Sequence, residues 1–87
     1  QNYPNPFNPS TMIRFALPKQ SNVTLKIFNL LGQLVSEVLD NKVFEAGYHE
    51  IEFDGRQLAS GVYLYMIEAN SAGGKQYIQT KKMLLMK

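Results

Sequence analysis

His49 is the single histidine of this 87-residue chain, and Glu50, Glu52 and Asp54 follow it closely. Such a group is the raw material of metal binding or acid–base catalysis. A transition-metal site needs further imidazole or thiolate ligands, and the chain has no second histidine and no cysteine. Calcium needs carboxylates converging from a folded loop, and the spacing here is not that of such a loop. His49 therefore reads as a partly buried, satisfied ring on the parity of Ile51 and Phe53. Glu50, Glu52 and Asp54 read as the solvated face of the same strand. Glycoside hydrolysis by paired carboxylates requires a cleft and one acid of raised pKa, and the pattern supports neither. Ser10, Ser21, Ser36, Ser60 and Ser71 have no general base nearby, and no glycine-rich loop leads into a helix to cradle phosphate. The reading is a non-enzyme with no catalytic residue, no cofactor and no metal.

Tyr48, Tyr63, Tyr65 and Tyr77 offer a different chemistry, the stacking of sugar rings. They fall on different strands and parities, which argues against one stacking platform; the alternative function is a non-catalytic structural or carbohydrate-binding β-sandwich module appended to a secreted enzyme. Asn22-Val23-Thr24 fits the glycosylation tripeptide, a pattern frequent by chance.

The elements that would position these side chains are strands. Ile13, Phe15 and Leu17 share one face, Val23, Leu25 and Ile27 another, and His49, Ile51 and Phe53 a third, with Arg14, Lys26, Glu50 and Glu52 between them. Period-two alternation of this kind marks half-buried antiparallel strands. Leu34 to Leu39 alternates less cleanly. Val62 to Ile67 is apolar on both parities, as a central strand should be, and Tyr77 to Met86 is long enough to bend or split. Turn chemistry separates the runs at Pro18 to Asn22, Leu31-Gly32-Gln33, Ala46-Gly47, Asp54-Gly55-Arg56, Ser60-Gly61 and Asn70 to Gly74. Strands at intervals of roughly ten residues with no amphipathic helix predict an all-β sandwich of about seven antiparallel strands.

One spacing narrows the type. Leu58-Ala59-Ser60-Gly61-Val62-Tyr63 has the form of a tyrosine corner, in which a tyrosine at a strand start returns its hydroxyl to backbone a few residues upstream. The corner indicates an immunoglobulin or fibronectin III-like sandwich. Gly61 lets the chain swing between sheets, and Leu58 plugs the core beside the turn.

At this length burial removes only about 60–65% of the unfolded surface, so one small core must hold the domain together. The net charge of +2 is too small to argue for nucleic acid. Its distribution is more informative, because all seven acids lie between Glu37 and Glu68 while Lys75, Lys81, Lys82 and Lys87 make the C-terminal end basic. Lysines there protect an edge strand from unwanted pairing or contact an anionic partner. No apolar run approaches the roughly 18 residues of a spanning helix, so stable membrane insertion is not expected.

The chain opens with Asn2-Tyr3-Pro4-Asn5-Pro6-Phe7-Asn8-Pro9-Ser10. Each proline fixes its own φ and holds the preceding residue extended, so this stretch is neither helix nor central strand. Residues 1–10 are read as a proline-rich lead-in and 11–87 as a single sandwich domain. Gln1 in place of methionine fits a piece of a longer protein.

These segments together resemble the C-terminal sorting domain of type IX secretion, type A. The resemblance is carried by the opening through Thr11, by Ile13-Arg14-Phe15 and Leu17-Pro18, by Ile27-Phe28-Asn29-Leu30-Leu31-Gly32-Gln33, by Leu58 to Tyr63, and by Lys81-Lys82-Met83-Leu84-Leu85-Met86-Lys87. The chain also resembles the immunoglobulin-like domain of the flagellar hook-capping protein. The resemblance implies an address carried by a larger N-terminal cargo. It implies passage through the periplasm, recognition by an outer-membrane translocon and shuttle components, removal by a sortase-like peptidase, and delivery to the cell surface or the extracellular space. Candidate recognition residues carried over on these motifs are Pro4, Asn5, Pro6, Gly61, Tyr63, Lys81, Lys82, Met83, Leu84, Leu85, Met86 and Lys87.

Overall fold

The computed structural model describes residues 10–86. Alternating sequence becomes six strands: β1 (Ser10–Leu17), β2 (Ser21–Phe28), β3 (Leu34–Phe44), β4 (Gly47–Asp54), β5 (Gly61–Ser71) and β6 (Gln76–Leu85). The sequence reading of about seven strands thus becomes six among the described residues. Antiparallel β1 and β4 form one sheet, and β3-β2-β5-β6 form the other, also antiparallel throughout. The chain crosses between sheets at residues 18–20, 45–46 and 55–60, and the two layers close into the expected sandwich.

The core follows from parity. Ile13, Phe15 and Leu17 of β1 and Phe53 of β4 face Val23, Leu25 and Ile27 of β2, Ile67 and Ala69 of β5, and Met83 and Leu85 of β6. Each fully buried aliphatic side chain contributes about 1.5–3 kcal/mol, and here they must offset nearly all the chain entropy. The one buried polar side chain among the described residues, Ser21, donates its hydroxyl to the Lys19 carbonyl at 2.9 Å. That bond removes the penalty of burying it.

β5 takes the central place expected of it, between β2 and β6. β3 differs from the reading, because it runs on to Phe44 and is an edge strand with three register shifts against β2. One shift places Asp40 and Asn41 opposite Thr24. Asn41 has φ +54°, a left-handed conformation that asparagine tolerates, and its N–H donates to Thr24 Oγ1 at 3.1 Å. Extra residues in a bulged strand break strict alternation, and Val35, Val38 and Leu39 still pack on the core. That is why this segment looked irregular in sequence.

The β4–β5 crossover is pinned to the end of β6. A Cβ built on buried Gly55 would lie 2.7 Å from Leu85 Cδ2, so any larger residue there must displace the leucine or the loop. Downstream, the Leu58 N–H donates to the Gly55 carbonyl at 2.9 Å, and Leu58 packs against the core.

Candidate recognition surface

Two of the segments singled out in sequence lie some twenty residues apart yet meet in space. β5 and β6 pair with Gly61 opposite Leu85, Val62 opposite Leu84 and Tyr63 opposite Met83. The Tyr63 hydroxyl donates to the Ala59 carbonyl at 2.6 Å, so the predicted corner is formed. Gly61, at φ +154°, gives the backbone the conformation needed as the chain enters the second sheet. Tyr63 is buried and its hydroxyl is engaged, so its role visible in the structure is to hold β5 in place.

β6 pairs only with β5 among the described residues, which leaves its other edge unpaired. An unpaired edge is a row of N–H and C=O groups ready to accept a further strand. Its side chains divide by parity. Met83 and Leu85 point inward, and Leu85 is 2% exposed. Lys82, Leu84 and Met86 point outward, with Leu84 61% and Met86 68% exposed. Lys81 shares the inward parity but lies where the sheets no longer touch, and it is exposed. Pro4, Asn5, Pro6 and Lys87 lie outside the described residues.

The Ile27-to-Gln33 motif forms the β2–β3 turn. Asn29 Oδ1 accepts the N–H groups of Leu31 and Gln33, both at 3.0 Å, while Asn29 Nδ2 donates to Gln33 Oε1 at 2.8 Å. The turn thereby holds Leu30 and Leu31 outward in a fixed shape, Leu31 at 84% exposure.

The residues considered for catalysis are placed apart. The His49 ring sits 5.5 Å from Phe15 and 5.0 Å from Phe44, with Nε2 2.7 Å from the Glu45 carbonyl. This is a packed and partnered ring, as expected. Glu50 pairs with Arg14 at 2.6 Å, and Asp54 accepts from Arg56 Nε at 2.9 Å. Among the described residues no three His, Asp or Glu side chains converge as metal ligands.

Sequence reasoning did miss one juxtaposition. Tyr48 on β4 and Tyr77 on β6 line the same open groove of about 670 Å³, where the two sheets splay apart, together with Arg14, Glu50, Gln79 and Lys81. Strand parity alone gave no signal for it, because one tyrosine is on an outward parity and the other on an inward one. Tyr63 and Tyr65 do not join them. Tyr65 is half-buried beside Ile27 and opposite Lys81, and burial pushes its phenol above the ordinary 10.0.

No curated protein and no solved structure matches this sequence. The family model described as the secretion system C-terminal sorting domain matches residues 1–85, nearly the whole chain and all of the segments named above except the last two residues. The chain belongs to that family, and is a C-terminal sorting signal domain of type IX secretion.

Proposed function

We propose that the secretion machinery reads this domain through the outward side of β6, formed by Lys82, Leu84 and Met86 beside the unpaired edge. A sorting domain of this family is carried on a larger cargo, which is exported to the cell surface or the extracellular space. The observation that supports β6 as the contact is its combination of an open ladder with exposed apolar and cationic side chains. Strand addition at such an edge takes affinity from backbone hydrogen bonds and specificity from alternate side chains. Gly61, Tyr63, Met83 and Leu85 then serve recognition indirectly, by fixing the strand that is read. Pro4, Asn5 and Pro6 stand as recognition candidates on the family's motif alone. In this reading the cargo passes through the periplasm, an outer-membrane translocon and its shuttle components receive the domain, and a sortase-like peptidase removes it.

The test fuses residues 1–87 to a fluorescent protein carrying a periplasmic leader, in a bacterium with type IX secretion. Fluorescence should reach the surface or the medium, and deleting 83–87 should strand it in the periplasm. Normal delivery of the truncated fusion would sink the role given to β6. Failure of the intact domain to redirect the reporter would favour a structural module.

A further inference from the structure

We propose that the open side of the sandwich, between β6 and the β1–β4 sheet, is a binding groove for an acidic oligosaccharide. Three observations converge there.

The first is aromatic. Tyr48 is 93% exposed and its ring is stacked on no other aromatic side chain among the described residues, while Tyr77 stands on the opposite wall at 44%. Rings held open on two sides of a groove present flat apolar faces to a ligand. A pyranose ring has the matching feature, a face of C–H groups, with its hydroxyls directed to the side.

The second is the polar complement. Glu50 and Gln79 supply acceptors, and Arg14 and Lys81 supply donors, all on the same lining. Sugar hydroxyls both donate and accept, so they need such a mixed set. Three of these groups are already held in place: Arg14 Nε donates to Glu50 Oε2 at 2.6 Å, and the Tyr77 hydroxyl donates to Gln79 Oε1 at 2.9 Å. A small number of placed polar groups around apolar surface is the usual composition of a ligand site.

The third is charge and extent. Tyr77 is shared with a second cavity of about 280 Å³ whose rim carries Lys19 and Lys75. The two cavities adjoin at Tyr77, beside the N-terminal half of β6. Arg14 is neutralised by Glu50, whereas Lys19, Lys75 and Lys81 take part in none of the ion pairs among the described residues. A chain of sugars bearing carboxylates matches that excess of positive charge. Glu50 and the low net charge disfavour a polyphosphate backbone.

The experiment titrates the 87-residue chain with a hexamer of galacturonic acid, followed by tyrosine fluorescence and calorimetry. A neutral cellulose hexamer and a glutamate hexapeptide serve as controls. Saturable binding of the galacturonate hexamer is expected, tighter than either control. Tyr48→Ala should weaken it about tenfold with an unchanged denaturation midpoint, because the ring is solvent-exposed in the free domain. Lys81→Gln should weaken it too and reduce its salt dependence. Absence of saturation at millimolar concentration, equal binding of the glutamate peptide, or full affinity in Tyr48→Ala would each overturn the proposal. Since Tyr48 lies on β4, away from the outward side of β6, export of the Tyr48→Ala fusion is expected to be normal. The sugar site and the sorting signal can therefore fail independently.

Discussion

The hydroxyl of Tyr63 and the carbonyl of Ala59 are 2.6 Å apart, and this bond ties the start of β5 to the loop that crosses from the other sheet. Tyr63 is also the residue opposite Met83, so the bond anchors the strand on which β6 is laid down. Tyr63→Phe keeps the ring and deletes the donor, so this part-buried bond is not made. A loss of about 1 kcal/mol or more in unfolding free energy is expected. Urea denaturation followed by circular dichroism measures it, and an unchanged midpoint would remove the corner from this account.

Gly55 is the other point at which the crossover meets the last strand. Gly55→Ala places a methyl group 2.7 Å from Leu85 Cδ2, a contact that forces the leucine or the loop to move. Overpacking of this kind costs about 1–3 kcal/mol. Leu85→Ala alone opens a cavity and costs about 2–5 kcal/mol. In the double variant the new methyl group has room, so the combined loss should be smaller than the sum of the two single losses. Strict additivity in the four-protein cycle would show that the two sites do not share the strain.

Tyr65 makes a prediction about pH. Burial raises its phenol pKa in the folded state, so the unfolded chain ionises first as pH rises. Its contribution is fully present below pH 10.0, the ordinary value, and is lost as pH rises from there through the raised folded value. Tyr65→Phe removes this titration. The variant should lose less stability than the parent over that alkaline interval, which paired denaturation series at neutral and alkaline pH would detect. Parallel curves would mean that Tyr65 does not titrate differently on folding.

Much of the fold was legible because alternation and burial coincide: Ile13, Phe15 and Leu17, or Val23, Leu25 and Ile27, face the core in strict period two. The corner was legible because its residue types are dictated by local backbone geometry. β3 was not, since bulges displace its parity and an edge strand needs few buried residues. Nor was the groove between Tyr48 and Tyr77, which depends on how far two sheets splay, a distance set by the summed volumes of the core. The candidate recognition residues fell between these cases. Their segment was evident, but the sorting of Met83 and Leu85 from Leu84 and Met86 needed the register of β6 against β5.

That register separates buried from exposed side chains within one strand. Met83 and Leu85 are core residues, and Met83→Ala should cost about 2–5 kcal/mol by cavity formation, with any export defect following from unfolding. Lys82, Leu84 and Met86 touch solvent, so Lys82→Glu or Leu84→Ser should shift stability by no more than about 0.5 kcal/mol. If the outward side is what the machinery reads, those two variants nevertheless leave reporter fusions in the periplasm. Denaturation midpoints and surface fluorescence measured on the same three variants place each on two axes. Export that tracks stability alone across the set would mean the domain is recognised elsewhere and β6 matters only as part of the fold.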